Sequence, residues 1–363
     1  MTIIKELLQT YGPEYLARFE SAMPSDHLKV IHAVTNCRTG SYGIAVYGCE
    51  ACGAPHLTYR SCGNRHCPAC QHQKTQLWLH KQMQRQVPGH HFMITFTVPE
   101  QLRRFFRSHQ RIGYTALFEA SSATIKALAK DPKYVGGDLP GFFGVLHTWG
   151  RQLQYHPHIH YVVPGGAMSR SNGKWHPSRL DFFLPVKAMS KMFRAKLKDI
   201  MRKNGLYRQI PSEVWEKGFN VNCQAVGSSY HSIKYLAPYV FKVAISNHRV
   251  TKIENRRVFF KYKKGRSSRW RNMSLEVMEF IRRFLQHVLP TGFMKIRYYG
   301  FLNPNCGVKL KRIKTLIQLA FAFTLDNSEL SLPDPEPMVC HSCGGRLKYR
   351  GSLLPSGFFI SPG

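Results

Sequence analysis

Acidic residues are scarce in this chain. Twenty Asp and Glu stand against 52 Lys and Arg in 363 residues, a formal net charge of +32. Such an imbalance carries self-repulsion unless a polyanion is at hand, so nucleic acid is the partner it implies. No apolar run of about 18 residues is present, which excludes a membrane-spanning helix, and no basic amphipathic segment offers a membrane-surface anchor. No Gly-x-x-x-x-Gly-Lys-[Ser/Thr] loop occurs, which excludes a nucleotide-driven helicase. Internal repeats are also absent. The opening segment MTIIKELLQTYGPEYLARFE contains acids and lacks a small-residue cleavage site. It reads as a helix rather than a signal peptide. In a cytoplasmic protein the ten cysteines are metal ligands rather than disulfides.

Periodicity predicts helices over 3–21, 26–35, 71–86, 100–130 and 187–205, with a mainly helical stretch at 228–245 and further helices near 274–287 and 308–323. Strands are expected in HHFMITFTVP, GFFGVLHTW (141–149), HIHYVV (158–163), FNVNCQAV (219–226) and RRVFFKYKK (256–264). This order implies an α+β fold with a central antiparallel sheet flanked by helices. Composition divides the chain into four segments. Residues 1–86 are helical and cysteine-rich, 87–248 hold the sheet, 249–332 are basic, and 333–363 form a tail after the PDPEP break.

Cys49-x-x-Cys52 is followed after 14 residues by Cys67-x-x-Cys70. Two such knuckles supply four thiolates, a structural zinc set. Cys37, Cys62 and His66 lie in or near the block and are candidates for a second site, with His32 or His56, or for packing; Cys37 is assigned to packing. Cys340 and Cys343 form one knuckle alone, which needs Cys306 or His341 to close a site, or is a remnant.

In YHPHIHY (155–161) alternation along a strand puts His158 and His160 on one face and Ile159 and Tyr161 on the other. Two adjacent imidazoles are either a metal site or a solvated polar face. Downstream, SSYHSIKYLAPYVF carries Tyr230, Tyr235 and Tyr239. Tyr235 and Tyr239 are four apart and share a helical face, presenting both hydroxyls or packing as core aromatics, although Pro238 disfavours a regular helix through residue 237.

HFMITFTVP, VLHTWGRQLQYHPHIHYVVPGG and YLAPYVFKVAISNHRV, preceded by a Cys-x-x-Cys and SCGNRHCPAC, resemble the rolling-circle transposases of the insertion-sequence-ninety-one type. These belong to the HUH superfamily of single-strand nucleases. The likeness runs from about Cys37 to about residue 325. It implies an HUH nuclease domain behind a helical, zinc-ribbon domain and ahead of a basic region. It implies that His158 and His160 hold one Mg²⁺ or Mn²⁺ and that Tyr235 and Tyr239 are paired nucleophiles. A single acting tyrosine, Tyr239 or Tyr235, stays open. Cys49, Cys52, Cys67 and Cys70 match the zinc-binding block. No nucleotide cofactor is implied, and no acidic catalytic triad, for which the middle of the chain lacks the residues. A third cation ligand is expected: His147 first, with Gln154 and His156 as alternatives.

The implied function is cutting and rejoining single-stranded DNA in a bacterial cytoplasm, on chromosome or plasmid. A rolling-circle replication initiator and a non-enzymatic zinc-ribbon DNA-binding protein are the alternatives. Self-association is compatible with it. Single-stranded DNA is held by cations along its backbone and by aromatic stacking. Lys261, Lys263, Lys264, Arg266, Arg269 and Trp270 are the DNA-binding candidates, with Phe259, Phe260 and Tyr262 as further stacking platforms.

Overall fold

The computed structural model describes residues 2–228, 233, 244–263, 269–321 and 337–361. Among them the helices are α1 (Ile3–Phe19), α2 (Ser25–Thr35), α3 (Gln71–Gln84), α4 (Leu102–Ser108), α5 (Gln110–Lys130), α6 (Val186–Lys203), α7 (Val277–Leu285) and α8 (Leu310–Phe321). The strands are β1 (Ile44–Cys49), β2 (Pro55–Tyr59), β3 (His90–Thr97), β4 (Phe142–Trp149), β5 (Tyr155–Pro164), β6 (Gly166–Met168), β7 (Trp175–Pro177), β8 (Asn220–Ser228), β9 (Val250–Glu254), β10 (Arg257–Lys263), β11 (Trp270–Glu276), β12 (Ile296–Tyr299), β13 (Leu347–Leu353) and β14 (Phe359–Ile360). The α+β class and the antiparallel sheets agree with the sequence. None of the described helices is long and apolar enough to cross a membrane.

The chain folds as two compact units that do not follow the four consecutive segments. One comprises Met1–Lys74, Phe241–Val288 and Ser331–Gly363; the other comprises Thr75–Val240 and Leu289–Leu330. The basic region is shared out between them, and the C-terminal tail joins the N-terminal module.

The second unit is built on a five-stranded antiparallel sheet in the order β12-β4-β5-β3-β8. Alternation gives each inner strand two faces. Phe92, Ile94 and Phe96 of β3, Phe142 and Leu146 of β4, and Ile159, Tyr161 and Val163 of β5 enter one core with Phe118 of α5 and Phe193 of α6. Helix α6 meets this core through Met189, Phe193, Leu197 and Met201, one side chain per turn, and leaves its cations outside. Tyr161 is fully buried, and its hydroxyl lies 2.7 Å from Ser121 Oγ. An unmet hydroxyl there would cost about 1–3 kcal/mol. Gly144 opposes Tyr161 across β4 and β5. A Cβ at 144 would come within 2.4 Å of the Tyr161 ring, so glycine is needed at that point. The glycine and the ring over it fix the pairing register.

In the first unit, β1 lies between β2 and β13 in a sheet of order β14-β13-β1-β2, and β10 lies between β9 and β11. Val258 and Phe260 of β10 turn inward, and the Phe260 ring meets Phe280 of α7 edge-on at 5.9 Å.

His91 of β3 is 2% exposed. Its Nδ1 lies 3.1 Å from the Gly89 carbonyl, and burial lowers its pKa from 6.5 to about 4. The native state therefore binds fewer protons than the unfolded chain between these values. The contribution is complete above the unfolded pKa and is lost as the pH falls towards 4. Urea unfolding should show wild type losing about 2 kcal/mol more than His91→Gln between pH 7 and pH 5. Equal pH slopes would refute the assignment.

Candidate functional site

The face of the main sheet opposite α5 and α6 carries the histidines. His147 on β4 stands directly across from His158 on β5, while Thr95 and Thr97 of β3 oppose His160 and His158. The ligand atoms of His147, His158 and His160 lie within 4.8 Å of one another. Sequence alternation accounts for the pair on β5; the third imidazole comes from the strand register.

Hydrogen bonds orient the rings. His158 Nδ1 lies 2.7 Å from the carbonyl oxygen of His156. A carbonyl only accepts, so Nδ1 carries the proton and Nε2 keeps its lone pair. His160 Nδ1 lies 2.8 Å from Thr95 Oγ1, and an Nδ1–H donated there leaves the His160 Nε2 lone pair in the same way. These are the outer partners that a ligating histidine uses. Burial, reinforced by His160, pushes His147 and His158 well below the usual imidazole range. Burial with His156 pushes His160 to about 4. The cluster is therefore neutral near pH 7, the form that binds a metal.

The two alternative third ligands are engaged elsewhere. Gln154 Oε1 accepts from the Gln152 amide at 2.9 Å. His156 Nδ1 accepts from the Arg103 guanidinium at 3.0 Å. Between the pairs His147/His158 and Trp149/Tyr155 the register shifts by one residue, so β5 carries a bulge at His156 and Pro157. The strand continues through Pro157 because a bulge tolerates a missing N–H. Sequence reasoning missed Thr95, Trp149 and Lys295. Trp149 stacks on His147 with centroids 5.0 Å apart, and Lys295 Nζ lies 4.7 Å from the Trp149 ring centre. Alternation in TFT could have signalled Thr95; nothing local signals Lys295.

Tyr230, Tyr235 and Tyr239 lie outside the described residues. Ile233, two residues before Tyr235, is buried and lines a cavity with His91, Phe143 and Val162. By strand alternation these three belong to the histidine face of the sheet.

The cysteines pair differently from the expected set of Cys49, Cys52, Cys67 and Cys70. Cys67 and Cys70 gather with Cys37 and Cys62, and Cys49 and Cys52 gather with Cys340 and Cys343. Cys37 is thus a cluster member rather than packing, and the tail knuckle is neither alone nor completed by Cys306 or His341. The reason is topological: β1 ends at Cys49 and pairs with β13, which starts just after the tail knuckle. Cys37 Sγ and Cys62 Sγ each lie 3.5 Å from Cys70 Sγ. The Cys67 hydrogen bond lowers Cys62 to about 5, and the same interaction raises Cys67. Four thiols this close cannot all ionise without a cation among them.

Comparison with known proteins finds matches over most of the chain. A family model described as "Transposase zinc-binding domain" matches residues 7–98, and one described as "Putative transposase" matches 141–309. A relative named "Putative transposase y4qJ", from Sinorhizobium fredii, is 34% identical over 320 residues, spanning 83% of this chain and 80% of its own. The chain belongs to the insertion-sequence-ninety-one family of transposases. The "Transposase for insertion sequence element IS801" of Pseudomonas savastanoi pv. phaseolicola is 25% identical over 361 residues, spanning 92% of this chain and 86% of its own. No solved structure matches the chain.

The zinc-binding match covers the whole Cys37, Cys62, Cys67 and Cys70 cluster, whereas Cys340 and Cys343 lie outside it. A transposase acts on DNA; among the described residues the β9–β11 sheet carries a basic face. Lys261 and Lys263 point outward on β10 opposite Asn272 and Trp270. Trp270 is 52% exposed, with Lys263 Nζ 5.0 Å from its ring centre, and Arg269 is exposed beside it. Phe259 is half-buried under Lys252, and Tyr262 is half-buried opposite Arg271. Phe260 is a core residue and is withdrawn as a stacking platform. Lys264 and Arg266 lie outside the described residues.

Replacing Cys62 by Ser should remove zinc from this set and unfold the N-terminal module, because such sites contribute on the order of 10 kcal/mol of folding free energy. Cys223→Ser should keep its zinc, since Cys223 belongs to neither cysteine cluster. Elemental analysis giving the same zinc content for Cys62→Ser and wild type would refute the set.

Proposed function

We propose that this transposase cuts and rejoins single-stranded DNA through 5′-phosphotyrosine intermediates in rolling-circle transposition, as an HUH nuclease. The observation that carries the reading is the convergence of His147, His158 and His160 from adjacent strands, with Nδ1 of His158 and His160 engaged and neutral imidazoles turned to a common point. Three neutral nitrogens can ligate one divalent cation; imidazoles are softer ligands than carboxylates, so of the two expected ions Mn²⁺ should serve at least as well as Mg²⁺. Such a cation would supply charge neutralisation at the non-bridging oxygens of the scissile phosphate.

Within this reading the histidines hold, the tyrosines attack and the basic surfaces bind. Tyrosine has a pKa near ~10 and is a weak nucleophile at neutral pH. Loss of its hydroxyl proton accompanies attack. A bond forms between Tyr235 or Tyr239 Oη and phosphorus, the P–O3′ bond breaks, and the 3′ oxygen leaves as a hydroxyl after taking a proton. The phosphotyrosine retains the bond energy for rejoining. With two tyrosines, one holds the first end while the other cuts the next strand. Lys295, beside Trp149 and His147, supplies a cation for the phosphate backbone.

A covalent protein–DNA adduct on single-stranded element ends with Mn²⁺ is the direct test. His160→Ala should abolish the adduct with little change in DNA affinity, because affinity rests on the basic faces. The double change Tyr235→Phe and Tyr239→Phe should form none, whereas single variants that cut but fail to transfer would assign a role to both hydroxyls. An adduct on the double variant would place the nucleophile elsewhere.

Phosphate contacts dominate the affinity in this reading, so binding should weaken by ~10³-fold or more between 50 and 200 mM salt. It should favour single strands over blunt duplex. Equal affinity for the two at one salt concentration would count against stacking on Trp270.

A further inference from the structure

We infer that Cys49, Cys52, Cys340 and Cys343 form a second zinc site, closed by the C-terminal tail, so that the N-terminal module is completed only when the far end of the chain returns to it. The inference is independent of the nuclease chemistry.

The two knuckles are built alike. Cys49-Glu50-Ala51-Cys52-Gly53 and Cys340-His341-Ser342-Cys343-Gly344 both place glycine after the second cysteine, at φ +73° and +71°. Left-handed backbone at that point favours glycine. The Gly53 amide donates to the Cys49 carbonyl at 3.0 Å, and the Gly344 amide donates to the Cys340 carbonyl at 2.9 Å. The next bond is repeated as well: Cys49 N–H to Ala54 O at 3.0 Å, and Cys340 N–H to Gly345 O at 2.8 Å. Two separate stretches with the same backbone wiring, facing each other, are the halves of a zinc ribbon.

The sulfurs fit one ion. Four sulfurs about 2.3 Å from a tetrahedral zinc stand about 3.8 Å apart. Here Cys49 Sγ and Cys343 Sγ are 3.4 Å apart, and Cys52 Sγ and Cys340 Sγ are 3.8 Å apart. All four lie within 4.8 Å of one another. A Cβ at Gly345 would come within 3.0 Å of Cys49 Sγ and 2.7 Å of the Ala51 Cβ, so the tail approaches as closely as glycine permits. His56 Nε2 lies 3.2 Å from Cys340 Sγ, and an N–H there would offset part of the thiolate charge.

The remaining contacts make the site part of a sheet. The Glu50 amide donates to the Arg346 carbonyl at 3.0 Å. From Cys49 and Leu347 the pairing of β1 with β13 runs to Ile44 and Leu353. Without the tail, the cluster would lose two of its four thiols and β1 one of its two neighbouring strands.

The full-length protein should carry two zinc ions per chain by elemental analysis, and the full chain with Cys340→Ser and Cys343→Ser should carry one. Two ions retained in that variant, or one in wild type, would overturn the inference. Alkylation of the native wild type, read by mass spectrometry, answers the question even if the variant fails to fold. Cys52 and Cys343 are exposed, so burial alone does not protect them. They should stay unlabelled together with Cys49 and Cys340 until a zinc chelator is added, while Cys306 labels throughout. Labelling of Cys52 and Cys343 as fast as Cys306 before chelation would also overturn it.

Discussion

The register between β4, β5 and β3 is the constraint on which the candidate site depends. Side chains alternate with a period of two, so a slip of one residue would send every histidine to the opposite face. Gly144 beneath the Tyr161 ring resists that slip, because any other residue at 144 would overlap the ring. With this pair in place, His147 stands opposite His158, and Thr95 opposite His160. The bulge at His156 and Pro157 then ends the regular pairing just beyond the triad. It turns His156 towards Arg103 and leaves its carbonyl to hold the His158 ring.

The same strands keep two chemistries apart. One face packs into the apolar core, where the Tyr161 hydroxyl is met by Ser121 and the Tyr155 hydroxyl by Tyr114. The other carries imidazoles that burial holds neutral. Burial would penalise a charged carboxylate at least as strongly. A histidine set therefore suits a chain in which 20 acidic residues face 52 basic ones, because it offers nitrogen ligands without adding negative charge.

The first unit gets its order from clustered thiols as well as from an apolar core. Its three sequence segments come from the start, the middle and the end of the chain. The start and the end are joined at β1 and β13, and the start and the middle at α1, where Arg256 donates to both carboxylate oxygens of Glu14 at 2.8 Å. That ion pair is exposed and screened by water, so it contributes little. The β1–β13 ladder and the cysteines beside it carry more of the assembly.

Much was legible in the sequence. The charge pointed to the partner, alternation in HPHIHY paired His158 with His160, and Cys-x-x-Cys spacing marked the thiols that cluster, because each of these signals is local. The positions of α6, β4, β8 and β10 followed from periodicity for the same reason. Which knuckle meets which could not be read, since all Cys-x-x-Cys turns are locally equivalent and only the pairing of β1 with β13 selects Cys340 and Cys343 for Cys49 and Cys52. Alternation in RVFFKYK separated Phe259 from Phe260 but left open which of them faced α7. The choice of His147 over Gln154 and His156 likewise rested on strand pairing and a bulge. Local chemistry supplied the candidate ligands, and contacts between residues distant in sequence decided how they are grouped.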